Sequence, residues 1–201
     1  MPLGDRVPGC QIDDVPYTPS PDLAAMRLED ISAAVAARRL APLEQWNPVE
    51  TGTSNMRIAR DGRWWHEGGI IHRPAMVRSF SALLRLDEDG FWLVMPHQKL
   101  SIIVEDAPFI ATDVVALDEA GEQVLAFRTN TDELVIADAA HPITAHGDPD
   151  TPALYVLVRD RLEARLDRST YTQLATMAMD NGSDPLAIVS RGVTFSLLPG
   201  T

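Results

Sequence analysis

Six arginines, Arg57, Arg73, Arg78, Arg128, Arg159 and Arg191, stand inside or beside otherwise apolar stretches of the chain. Positive charge is scarce here: Lys and Arg number 17 against 29 Asp and Glu, a formal charge of −12. A guanidinium in apolar surroundings needs a carboxylate or a bound anion, because burying it unpaired is costly. Glu105-Asp106, just before Ala107-Pro108-Phe109, supplies two acids at an expected strand end. One arrangement pairs such acids with the arginines in internal salt bridges. The other leaves guanidinium groups to hold a phosphate or carboxylate through two parallel hydrogen bonds. Arg73 directly precedes Pro74 at the start of an expected helix, whose free N–H groups favour the same kind of anion. Trp46, in a loop between Gln45 and Asn47-Pro48, either plugs the fold or stacks on a planar ligand. Trp64, Trp65 and Trp92 lie in or beside apolar stretches and read as packing residues.

Other chemistries find less support. His66 and Glu67 are neighbours on an expected strand, where successive side chains point to opposite faces, so they do not form a base and its orienter. The five histidines show no metal-ligand spacing, and the single cysteine, Cys10, makes neither a disulfide framework nor a thiolate zinc site. There is no G-x-S-x-G elbow, no G-x-G-x-x-G and no G-x-x-x-x-G-K-[ST], so no motif points to a cofactor. The acidic balance disfavours nucleic acid and anionic membranes as partners. No window approaches the 18 or so apolar residues of a membrane span, and the first residues lack a signal peptide's pattern. The expected location is the cytoplasm.

The elements that must position these residues follow from periodicity. Residues 1–19 carry Pro2, Pro8, Pro16 and Pro19 and read as a loose arm. Ser20-Pro21-Asp22 starts a helix that runs through Leu23, Met26, Ile31 and Val35 to Leu40, stopped by Pro42. An ordered loop is expected to about Asn55. Short strands then recur roughly every 10 residues, favouring an antiparallel sheet over βαβ units. A helix follows Pro74, and Leu162–Met179 reads as another, beginning no later than Ser169. Turn, helix and hairpin over 68–94 rhyme with 159–198 at an offset of 95 residues, which implies two similar units with a groove between them. The division expected is 1–55 for arm, helix and loop, 56–118 for a first sheet-plus-helix unit, and 119–201 for a second.

Several stretches carry a resemblance. Pro42-Leu43-Glu44-Gln45-Trp46-Asn47-Pro48, Arg57-Ile58-Ala59-Arg60-Asp61-Gly62-Arg63-Trp64, Ile71-His72-Arg73, Val104-Glu105-Asp106-Ala107-Pro108-Phe109 and Phe127-Arg128-Thr129-Asn130 together resemble the bacterial DUF1285 family. Tyr155-Val156-Leu157-Val158-Arg159 and Ser190-Arg191-Gly192 extend the similarity over about residues 42–198. Val94-Met95-Pro96-His97-Gln98-Lys99 stands where the family commonly reads Val-Thr-Pro-Val-Glu-Lys, and Arg191 where members often have glycine. The resemblance implies a duplicated α+β core, its C-terminal half like a pleckstrin-homology fold, binding a nucleotide-like ligand between the halves in signal transduction.

These readings converge on an α+β protein with an N-terminal helix and two antiparallel sheet-plus-helix units. The expected function is a ligand-binding or sensory module for a phosphate-bearing small molecule. Arg57, Arg73, Arg78, Arg128 and Arg159 would contact the anion; Asn47 and Asn130 would read polar edges. Trp46 would stack, and Glu105 or Asp106 would orient the arginines. The alternatives are a protein-interaction module without a small ligand, and an enzyme with an acid or base near Glu67 or Asp106.

Overall fold

A computed structural model describes residues 22–37, 42–180, 182 and 186–200. The expected arm at 1–19, with Cys10, and the expected helix end at Arg38 to Leu40 lie outside the described residues. Asp22 accepts a hydrogen bond from the Ala24 N–H through Oδ1 at 3.2 Å and starts a single 3-10 turn, Leu23–Ala25. Met26 is extended, so the expected helix is split, and α1 spans Leu28–Ala37. A second short turn, Leu43–Gln45, precedes the strands.

The first sheet is built from β1 (Glu50–Ile58), β2 (Trp64–His66), β3 (Gly69–Ile70), β4 (Leu84–Asp87), β5 (Gly90–Val94) and β6 (Gln98–Val104), with α2 (Pro74–Ser81) between β3 and β4. Its order is β3-β2-β1-β6-β5-β4. β1 starts at Glu50, so residues 50–55 are strand where a loop was expected. The reason is distant: Glu50 to Thr53 pair with Gln98 to Ser101 of β6.

The second sheet contains β7 (Phe109–Glu119), β8 (Glu122–Thr129), β9 (Leu134–Ile136), β10 (Ile143–His146), β11 (Ala153–Arg159) and β12 (Leu162–Leu166), in the order β10-β11-β12-β7-β8-β9. Then come α3 (Arg168–Asp180) and a hairpin of β13 (Ala187–Ser190) and β14 (Val193–Ser196). The helix expected over Leu162–Met179 is therefore corrected in its first turn. Leu162, Ala164 and Leu166 are buried and alternate with half-buried Glu163 and Arg165, the period of a strand.

Both sheets have one topology. Each is two three-stranded antiparallel meanders, joined because the first strand of one lies parallel to the last strand of the other: β1 on β6, and β7 on β12. The duplication thus equates β1–β6 with β7–β12. The offset of 95 paired α2 with α3, but α2 follows a third strand and α3 a sixth, so they are not counterparts.

One apolar core runs through both units. Ile58, Trp64, Leu84 and Leu93 of the first join Phe109, Leu125, Phe127, Val156 and Leu162 of the second, and Leu174 of α3 and Phe195 of β14 close it. Trp64 is the tryptophan of this core, stacked on Phe80 with centroids 6.3 Å apart. The other face of the second sheet is covered separately: Leu23 and Ile31 pack on Val124, Ala126 and Ile136. No helix among the described residues is long and apolar enough to cross a membrane.

Candidate functional site

The two units meet where the β1–β2 turn, Ala59 to Arg63, presses on the second sheet. The turn is closed by Ala59 N–H to Arg63 O at 2.9 Å and Gly62 N–H to Ala59 O at 2.8 Å. Gly62 has φ +79, and a Cβ there would fall 2.6 Å from Ile110 Cγ1 and 2.7 Å from Asn130 Nδ2. Glycine is required twice over, for the left-handed backbone and for the close approach. Asn130 is the clasp of this contact: its Oδ1 accepts the Ile110 N–H at 3.0 Å, and its Nδ2 donates to Gly62 O at 3.3 Å.

The connection between the sheets, residues 105–108, carries the two acids. Glu105 accepts the Arg60 N–H at 3.0 Å through Oε2 and the Arg57 guanidinium through Oε1. These two hydrogen bonds, the backbone one first, hold its carboxyl below the usual range. Asp106 joins both units. Its Oδ2 accepts Arg165 Nη1 at 2.5 Å and lies 4.0 Å from Arg60 Nε, while Oδ1 accepts the Tyr155 hydroxyl at 2.8 Å. Burial, reinforced by that hydrogen bond, pushes the Tyr155 phenol up, so it stays a donor at neutral pH.

A cleft of about 710 Å³ opens beside this node. Arg60 and Asp61 reach it from the first unit; Arg165, Arg168 and Tyr171 reach it from β12 and α3, over an apolar floor of Ile110, Leu154 and Leu166. Asp167 caps α3, accepting the Thr170 N–H at 2.8 Å through Oδ1, which sets the Arg168 turn at the cleft's edge. Arg60 is 72% exposed at its side chain. Guanidinium groups from both units around an apolar floor suit a small anion with a flat or apolar body.

The sequence-predicted residues fall in several places. Glu105, Asp106 and Asn130 stand behind the cleft and hold its lining. Arg57 is paired with Glu105 and lies over the Trp65 ring, its Cζ 5.1 Å from the centroid. Arg78 reaches across the units to Asp132 at 2.9 Å. Arg159 is buried, donating to Ser81 O at 2.5 Å and Leu84 O at 3.2 Å, with Glu133 3.7 Å away and the Phe109 ring beside it. Arg128 donates to Met26 Sδ at 3.5 Å. Arg191 bonds Glu119 at 3.1 Å. Arg73 is exposed at the start of α2. Trp46 gives its carbonyl to Arg85 Nη1 at 2.8 Å, and Asn47 is exposed. Glu67, at φ +48, and His66 are exposed about the β2–β3 turn. None of these residues from Arg57 onwards lines the cleft.

The cleft residues that sequence reasoning missed are Arg60, Arg165, Arg168 and Tyr171, with Tyr155 behind them on Asp106. For Arg165 and Arg168 the signal was the alternation of Leu162 to Leu166 followed by a capping Asp167, which gives way to a helical reading if the alternation is overlooked. Among the described residues no group of three or more His, Cys, Asp or Glu could hold a metal ion.

Two family models cover most of the chain. The N-terminal domain of DUF1285, a domain of unknown function, matches residues 41–107, and the DUF1285 C-terminal domain matches 108–197. The chain belongs to the DUF1285 family. The boundary between the two DUF1285 domains falls directly after Asp106-Ala107, at the connection that carries the acidic node. The crystal structure of a DUF1285 family protein from Silicibacter pomeroyi DSS-3 shares 39% identity, with a TM-score of 0.69 over 84% of this chain and 94% of that one. A DUF1285 family protein from Shewanella baltica OS155 is 21% identical, with a TM-score of 0.48 over 60% of this chain and 90% of that one. No curated protein matches the chain.

Proposed function

We propose that this DUF1285 protein is a ligand-binding module whose site is the cleft between its units, taking a small phosphate- or carboxylate-bearing molecule of nucleotide-like size. The observation that carries the reading is the convergence of Arg60 from the first unit with Arg165 and Arg168 from the second over Ile110, Leu154 and Leu166. A ligand held there touches both units, the property a cytoplasmic sensory module needs. In the same reading the second unit is pleckstrin-homology-like, its strands, antiparallel except where β7 meets β12, followed by a helix, α3.

Thermal unfolding against a panel of nucleotides, cyclic nucleotides and sugar phosphates tests it. A ligand present at 100 times its dissociation constant adds about 2.7 kcal/mol, which for a chain of this length raises the midpoint by roughly 5–10 °C. Arg60→Ala and Arg168→Ala should abolish the rise and leave the unliganded midpoint in place, since both side chains are exposed. No rise at millimolar concentration across the panel defeats the proposal. One observation favours a second reading, a protein-interaction module: Ile103, 64% exposed, stands beside Arg57 on the outer face of the first sheet.

A further inference from the structure

The charges around the cleft discriminate among anions. Arg60, Arg165 and Arg168 line it, and so do Asp61, Asp150 and Asp167. Two of these have charged partners outside the lining: Asp61 is paired with Arg63 at 2.8 Å, and Arg165 with Asp106. Four positive groups thus face four negative ones, in a chain of formal charge −12. A site for a polyphosphate needs a clear excess of positive charge. Each additional negative charge on a ligand here meets fixed carboxylates within about 10 Å, the distance over which salt fails to screen them. Asp106 cannot turn aside to relieve this. Its side chain is 17% exposed, and it is held by Tyr155 on one oxygen and by Arg165 on the other.

Building on the binding reading above, we propose that the cleft selects singly charged ligands. One anionic group sits among Arg60, Arg165 and Arg168, and an uncharged body lies over the apolar floor. Asp106 is the positioning residue: it aims Arg165 from behind and supplies the fixed negative charge that rejects dianions and polyphosphates.

The test compares ligands that differ chiefly in charge. Dissociation constants are measured for the 3′,5′-cyclic monophosphates, 5′-monophosphates and 5′-triphosphates of adenosine and guanosine, without divalent metal. For at least one base the cyclic monoanion should bind about tenfold more tightly than the triphosphate, with the dianionic monophosphate between them. A monophosphate or triphosphate that binds as tightly as the cyclic form overturns charge selection and leaves the binding reading standing. If none of the six binds, charge selection falls, and the binding reading is decided by the wider panel of the thermal test. Asp106→Asn removes the charge and keeps an oxygen acceptor for Arg165, its amide NH2 turned to the Tyr155 hydroxyl oxygen, so it should narrow the gap between cyclic and open forms severalfold. Asp150→Asn, at an exposed position, should narrow it to a lesser degree without touching the fold. An unchanged ratio in Asp150→Asn, or in a folded Asp106→Asn, overturns the proposal.

Discussion

Thr170, in the first turn of α3, has no solvent exposure, and its hydroxyl meets no hydrogen-bond partner among the described residues. A buried hydroxyl in that state costs roughly 1–3 kcal/mol. Thr170→Val keeps the shape and removes the polar atom, so it should stabilise the protein by about 1 kcal/mol. The expected readout is a higher urea midpoint at unchanged slope; a lower midpoint would mean that the hydroxyl has a partner after all. Asp87 is the opposite case, a carboxylate with many partners. Arg85 grips both oxygens, at 2.6 and 3.0 Å, and Lys99 adds a third bond at 2.8 Å. The Arg85 hydrogen bond is the main reason its carboxyl is held below its ordinary value, with burial opposing. Folding therefore binds this proton less tightly than the unfolded chain does. The stabilisation is complete above the unfolded value near pH 4 and is lost as the pH falls through the lower folded value. The stability difference between wild type and Asp87→Asn should stay constant from about pH 8 to 5 and shrink below about 4. Arginines in apolar surroundings were legible in the sequence as groups needing partners, and Arg57, Arg78 and Arg159 have them. Which partners was not legible, because Asp132, Ser81 and Leu84 are far away along the chain and near only in the fold.

The elements were legible wherever local pattern and tertiary role agree. α2 begins at Pro74 as its sequence demands, and short strands follow one another at the spacing expected of a mainly antiparallel sheet. β12 is where they disagree. Leu, Glu, Ala, Arg and Leu are strong helix formers, yet pairing with β11 and β7 overrides that preference. Only the alternate burial of its residues betrayed the strand. The first half of β1 was hidden for a related reason, since its partner β6 lies some 50 residues on. The role of the β1–β2 turn in docking one unit on the other was not legible, because Ile110 and Asn130 are near it only in the fold. Gly62→Ala tests that role. The added methyl would collide with Ile110 and Asn130 and strain a left-handed residue, so a loss of at least about 2 kcal/mol is expected. A substitution that left the denaturant midpoint in place would show that the turn can lift off its neighbour at no cost.

At the scale of the whole molecule, two units with one topology share one core. Arg78 to Asp132 and Arg159 to Ser81 and Leu84 tie them further. Calorimetry should accordingly show a single transition whose van't Hoff and calorimetric enthalpies agree. Two resolved transitions would mean that each unit is stable by itself. The duplication was expected from turn, helix and hairpin recurring at an offset of 95 residues, but that rhyme matched two helices of different topological rank; the order of strands is what shows the true repeat. The parallel pairing at the centre of each sheet also dictates an order of events. β1 cannot meet β6 until residues 59–97 have been laid down between them, nor β7 meet β12 until 120–161 have. A chain emerging from a ribosome can form hairpins early, yet neither sheet is knit through its middle until its last strand arrives. Contacts of such high sequence separation make folding slow relative to a meander of equal size. Until β12 arrives, β7 keeps one edge unpaired, the kind of bare strand edge on which growing chains associate.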